Sequence, residues 1–153
     1  MLIIGLYMFI VGCCLGSFIN VVIYRLPINK SIIFPNSRCP KCDTNIKWFD
    51  NIPLISWFLL KGKCRVCETK ISFSYPIIEL ITGILVWLNI YAQPTIYSQQ
   101  HTNVIIFLGC IFSVILFTLA ILDFKYFWLP QVLTFGGLVL GITTSLYLSL
   151  IHI

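Results

Sequence analysis

The sequence predicts an all-α polytopic membrane protein with about four transmembrane helices and one polar loop. Three observations predict it. Of the 153 residues, 59% are hydrophobic and only 10% charged, where a soluble domain carries about 25% charged residues. The apolar residues gather in four runs, Leu2 to Tyr24, Ile77 to Ala92, Val104 to Leu122 and Val132 to Ile151. None of the runs alternates with a period of two, so helices rather than barrel strands satisfy the backbone in lipid.

The first run meets the roughly 20 residues that a bilayer core requires. It does not read as a signal peptide: it has no basic start, is too long for an h-region, and ends at Arg25-Leu26-Pro27 without a small-residue cleavage site. Within it Gly12 and Gly16 are four apart, with Ser17 and Asn20 on nearby faces. That spacing suits close helix packing and an interhelical hydrogen bond. The second run is short and is expected to reach back past Pro76. The third and fourth runs are long enough to span. Cys13, Cys14 and Cys110 lie inside apolar runs and read as small buried hydrophobes.

Charge sets the orientation. Nine of the ten Lys and Arg fall between Arg25 and Lys70, and the tenth, Lys125, falls between the third and fourth runs. Basic loops stay cytoplasmic. The expectation is a cytosolic Arg25 to Tyr75 loop, a cytosolic Asp123 to Gln131 link, and outward-facing termini. Anionic membrane lipids suit this charge. No nucleic-acid reader is built from it, so no nucleic acid is expected as partner. The expected division is residues 1–24 as transmembrane helix 1, 25–76 as the loop domain, and 77–153 as transmembrane helices 2–4.

The loop carries two Cys-x-x-Cys knuckles, Cys39-Pro40-Lys41-Cys42 and Cys64-Arg65-Val66-Cys67. In a reducing compartment four such thiols point to metal rather than disulfides. The 21 residues between Cys42 and Cys64 lie just beyond the usual zinc-ribbon spacing. Cys39, Cys42, Cys64 and Cys67 are therefore the expected ligands of a structural Zn2+ that supplies folding free energy to a loop with little core. No repeat or low-complexity tract appears. Between the knuckles lies Trp48 to Leu60, rich in apolar and aromatic residues. It fits either a segment lying on the headgroups or a packed arm of the metal module.

Asp123 directly follows the third apolar run. A carboxylate at the end of a membrane helix is a functional candidate, the plain alternative being an interfacial charge that Lys125 neutralises. Glu79, near the start of the second run, lies at the same expected interface. Aspartyl hydrolysis needs two carboxylates with separated pKa values, so Asp123 by itself does not suffice.

Read together, these segments resemble the type IV prepilin peptidases (aspartic peptidase family A24), bifunctional leader peptidase/N-methyltransferases of pilus and type II secretion systems. Gly16 to Pro27 resembles the family's amino-terminal signature. Cys39 through Asp50-Asn51-Ile52-Pro53 to Cys67 resembles its zinc loop. Ser74 to Gly83 resembles the segment re-entering the membrane, and Asp123-Phe124-Lys125 with Leu129-Pro130 resembles the first catalytic-aspartate motif. The resemblance implies cleavage of prepilin or pseudopilin leaders at the cytoplasmic face of the bacterial inner membrane. It also implies N-methylation of the mature pilin with S-adenosylmethionine. Two departures stand out. Gln131 replaces the usual Asp or Asn, and no Gly-x-Gly-Asp, the family's second catalytic motif, occurs in the sequence. An incomplete chain is thus expected. It would be completed by a separate carboxy-terminal half or a second copy, or else be an inactive membrane-anchored zinc module.

Overall fold

A computed structural model describes residues 2–91 and 99–151. Five α-helices follow in order: α1 (Leu2–Arg25), α2 (Ile55–Leu59), α3 (Ser74–Tyr91), α4 (Gln99–Tyr126) and α5 (Gln131–Ile151). Short 3-10 turns cover Leu26–Ile28 and Trp48–Asn51, and no strand occurs among the described residues. Residues 92–98 lie outside the described residues. The second run does reach back: α3 begins at Ser74, with Pro76 in the first turn, where its missing N–H has no helical acceptor.

Two segments, Ile3–Ile28 and Val104–Tyr126, are long and apolar enough to cross a membrane, while Ser74–Asn89 and Gln131–Tyr147 are shorter apolar stretches. Large apolar side chains such as Ile3, Tyr7, Phe107, Val132 and Leu146 point outward. Helices that are apolar on their outer faces belong in lipid rather than water.

The chain forms two compact units, Met1–Ile84 and Leu85–Ile153. In the first, α1 turns Gly12, Cys13, Gly16, Ile19, Asn20 and Ile23 inward, the i, i+4, i+7 spacing of one helix face. A Cβ added at Gly16 would lie 2.6 Å from the Glu79 Cα. Only glycine lets α1 and α3 touch this closely. Asn20 Nδ2 then donates to the Tyr75 carbonyl at 3.2 Å, the cross-helix bond that its place in the run suggested. Cys13 is buried as expected, but Cys14 is exposed. One residue further on is a 100° turn, which carries Cys14 off the packed face. In the second unit, Gly137 and Gly141 of α5 bring Ile115 and Phe112 of α4 within 3.4 Å and 3.6 Å of where a Cβ would sit.

The residues from Leu26 to Phe73 wrap around two tight turns rather than a core. Only Cys39 and Gly62 are buried among them. The Trp48 to Leu60 stretch packs in part, as the packed-arm reading expects. Trp48, Phe58 and Leu59 are exposed. Trp57 packs inward, edge-on to Phe73 with ring centroids 5.2 Å apart, and over Gly62, where a Cβ would meet its ring at 2.6 Å. Gly62 also has φ +66°, a conformation open to glycine at little cost.

Candidate metal centre

The two knuckles are copies of one turn. Cys39 N–H donates to the Thr44 carbonyl at 3.0 Å and Asp43 N–H to the Cys39 carbonyl at 2.9 Å. The same bonds recur 25 positions later, from Cys64 to Thr69 at 2.9 Å and from Glu68 to Cys64 at 3.1 Å. Asp43 and Glu68 both have positive φ, 52° and 54°. Outside the turns Ile46 N–H reaches Ser37 and Ile71 N–H reaches Gly62. A repeat is therefore present that the cysteine spacing did not announce. Its signal is Cys-x-x-Cys followed by an acid and a threonine, in Cys42-Asp43-Thr44 and Cys67-Glu68-Thr69.

The turns bring all four predicted ligands together. The sulfurs of Cys39, Cys42, Cys64 and Cys67 all lie within 4.8 Å of one another. Cys39 Sγ is 3.6 Å from Cys67 Sγ, and Cys42 Sγ is 4.0 Å from Cys64 Sγ. Four thiolates on a tetrahedron with metal–sulfur arms of about 2.3 Å stand about 3.8 Å apart. The cluster fits one tetrahedral ion, and all seven cysteines of the chain are free thiols.

Two threonines missed by the sequence reading prepare the sulfurs. Thr44 Oγ1 bonds Cys42 Sγ at 3.3 Å, and Thr69 Oγ1 bonds Cys67 Sγ at 3.2 Å. The Thr69 side chain, then its backbone N–H, pull the Cys67 thiol down from 9.0 to about 6. Thr44 lowers Cys42 in the same way. Each hydroxyl favours the thiolate, the form that ligates metal. The sign follows: a depressed thiol favours the liganded fold fully above its ordinary value, and the advantage fades as pH falls through about 6. Thr69→Val is expected to weaken metal binding about tenfold, the low end for an outer partner, and to shift acid-induced release to higher pH. A competition titration with a chromophoric chelator at several pH values measures both; identical release curves would refute the role of Thr69.

The arm between the knuckles is tied to the second one. Arg65 grips Asp50 with both prongs, Nε to Oδ2 at 2.8 Å and Nη2 to Oδ1 at 2.5 Å. The guanidinium holds the Asp50 carboxyl below its usual range and stacks over Phe49 at 5.5 Å.

Asp123 stands exposed in the last turn of α4, in the unit Leu85–Ile153. Its carbonyl accepts the Phe127 N–H at 2.8 Å. Lys125 does not neutralise it: the two ion pairs among the described residues are Arg38–Asp43 and Arg65–Asp50. Residues two apart on a helix do not face each other, and Lys125 Nζ lies over the Tyr126 ring at 5.2 Å.

A sequence model of the Bacterial Peptidase A24 N-terminal domain matches residues 10–93, a range holding most of α1 and all four clustered cysteines. The chain is 37% identical over 146 residues to a "Prepilin leader peptidase/N-methyltransferase" of Myxococcus xanthus, covering 95% of this chain and 42% of that protein. A Vibrio cholerae protein of the same description is 45% identical over 137 residues, covering 82% and 50%. An Escherichia coli "Type 4 prepilin-like proteins leader peptide-processing enzyme" is 36% identical over 152 residues, covering 88% and 54%. The chain spans about half the length of the curated relatives it matches. No solved structure matches it.

Proposed function

The chain belongs to the bacterial A24 peptidase family of prepilin leader peptidase/N-methyltransferases, and on that premise we propose that it takes part in processing prepilin-like leader peptides at the inner membrane. The family match over residues 10–93 carries this reading. In it α3 and α5 cross the bilayer as α1 and α4 do. The loop of residues 25–76 forms a cytosolic module between transmembrane helix 1 and helices 2–4. The confinement of nine basic residues to that loop supports the orientation. Zn2+ fills the thiolate cluster as a structural ion: four sulfurs leave no open position for substrate. Type IV prepilins or pseudopilins are the substrates, and S-adenosylmethionine is the methyl donor if methylation is retained.

Asp123 is the carboxylate proposed to serve the hydrolysis, from an exposed position beside the membrane surface. It is the only acid from Leu85 to Ile153. An aspartyl pair needs one protonated and one ionised member, so its second member must come from outside that stretch. A further carboxy-terminal segment, on the same or a separate chain, or a second copy of the chain would supply it on this reading. The same observation favours a second reading, a membrane-anchored metal module that binds prepilins or a partner subunit without cutting.

Cleavage of a model prepilin by the purified protein in lipid separates the two. On the first reading Asp123→Asn lowers processing by about 10²–10⁴-fold, the range for losing a positioned acid or base. Product that forms equally well with the Asp123→Asn variant would remove Asp123 from the chemistry. Absence of product from the parent chain, with prepilin still bound, would favour the module.

A further inference from the structure

Neither the metal cluster nor the proposed hydrolysis uses Glu79, yet it is the most enclosed carboxylate of the first unit. It is only 8% exposed, at the point where Gly16 lets α1 and α3 approach. Buried carboxylates among apolar helices are kept where a partner and a task require them. Here the partner is a backbone group of the loop. Leu54 N–H donates to Glu79 Oε2 at 2.8 Å. The Ser17 side chain lies in hydrogen-bonding reach of the same carboxylate.

Leu54 is itself unusual. It has φ 61° and ψ −56°, and Ile55 N–H turns back to the Pro53 carbonyl at 2.6 Å. This is a three-residue γ-turn of the rare, strained hand. A leucine persists in such a conformation only where its surroundings over-determine it. The Glu79 carboxylate oxygen is one such determinant, because a buried backbone N–H that loses its acceptor is costly.

We propose that Glu79 is a positioning residue: its buried carboxylate clamps the strained Leu54 turn and so fixes the arm between the two cysteine knuckles to the crossing of α1 and α3. The clamp reaches the metal centre through few steps. Asp50 lies four residues before Leu54 and is gripped by Arg65, which sits between Cys64 and Cys67. Asn20, bonded to the Tyr75 carbonyl, holds the same crossing one turn away. The loop has few fully buried side chains to fix its place. With the clamp, the thiolate cluster has a set place relative to α1 and α3. The inference rests on α1, α3 and the loop, and stands whether or not the chain cuts a leader.

Hydrogen exchange on the full, metal-loaded chain in lipid nanodiscs reads the clamp directly, through peptides covering residues 53–57. Glu79→Ala is expected to speed exchange of the Leu54 amide about tenfold, the loss of its part-buried hydrogen bond. The amides inside Cys39–Thr44 and Cys64–Thr69 should keep their parental rates, and metal content should not change. Glu79→Gln, whose amide oxygen still accepts, should fall between the two. Leu54→Gly, free of strain but still a donor, should stay protected. An exchange rate in Glu79→Ala within about twofold of the parent would overturn the proposal. So would equal acceleration at the knuckles, which would mean general loosening. If Glu79→Ala does not accumulate, Glu79→Gln decides: local acceleration supports the clamp, and a parental rate overturns it.

Discussion

Replacing Cys39 and Cys64 by serine, one ligand from each knuckle, is expected to strip the metal and unfold the loop while leaving the membrane helices formed. The reason is how little else holds the loop. From Leu26 to Phe73 only Cys39 and Gly62 are buried, and each knuckle is closed by one isolated bridge, Arg38 to Asn45 and Lys63 to Lys70. Burial contributes about 25 cal/mol for each Å² of apolar surface hidden, and beyond Cys39 and Gly62 this segment covers its apolar side chains only in part. A structural Zn2+ held by thiolates supplies about 10–16 kcal/mol in small zinc-dependent folds, far more than the Arg65–Asp50 pair at the surface. Metal analysis should fall from about one ion per chain to near zero. Limited proteolysis should open the segment between Leu26 and Phe73, while far-ultraviolet circular dichroism keeps most of its helical signal. A double variant that still carries its ion, or a parent whose loop resists protease after chelation, would show that something other than metal folds this segment.

What could be read from the sequence follows from how local each determinant is. The helices were legible because a run of apolar residues has few other uses, and α1, α4 and α5 begin and end within a few residues of their runs. The cysteine cluster was legible because a Cys-x-x-Cys turn places both sulfurs by itself. Thr44 and Thr69 are equally local and escape a reading that stops at the cysteines, although the acid–threonine pair follows each knuckle in plain sight. The bond from Leu54 to Glu79 was not legible. Its donor is a backbone N–H, which every residue but proline has, and its acceptor is 25 residues away. Neutralisation of Asp123 by Lys125 fails because nearness along the chain is not nearness on a helix surface. The inward packing of Trp57 depends on Gly62, where a Cβ would meet the indole ring at 2.6 Å, a contact that no local pattern announces.

The second large effect is steric, and three glycines grade it. Gly16→Ala places a Cβ 2.6 Å from the Glu79 Cα and 3.2 Å from its backbone nitrogen. Backbone cannot rotate away, so α1 and α3 must separate. Overfilling a packed contact costs about 1–3 kcal/mol, and here the loss spreads, because the Asn20–Tyr75 bond and the Leu54–Glu79 bond both span the parting surfaces or hang from them. A cost at or above the top of that range is expected, and Gly16→Leu should leave little folded protein. Gly83→Ala meets Cys13 Sγ at 2.6 Å and the Phe9 ring at 2.9 Å. Those are side chains with rotamers to spare, so its cost should sit lower in the range. Gly136→Ala meets nothing within 4 Å and should stabilise α5 by up to about 1 kcal/mol through helix propensity. Thermal unfolding of the three variants in one detergent or lipid ranks them, with Gly16→Ala lowest and Gly136→Ala at or above the parent. If Gly16→Ala melts with the parent, α1 and α3 do not touch through Gly16, and the carboxylate of Glu79 loses the crossing that encloses it.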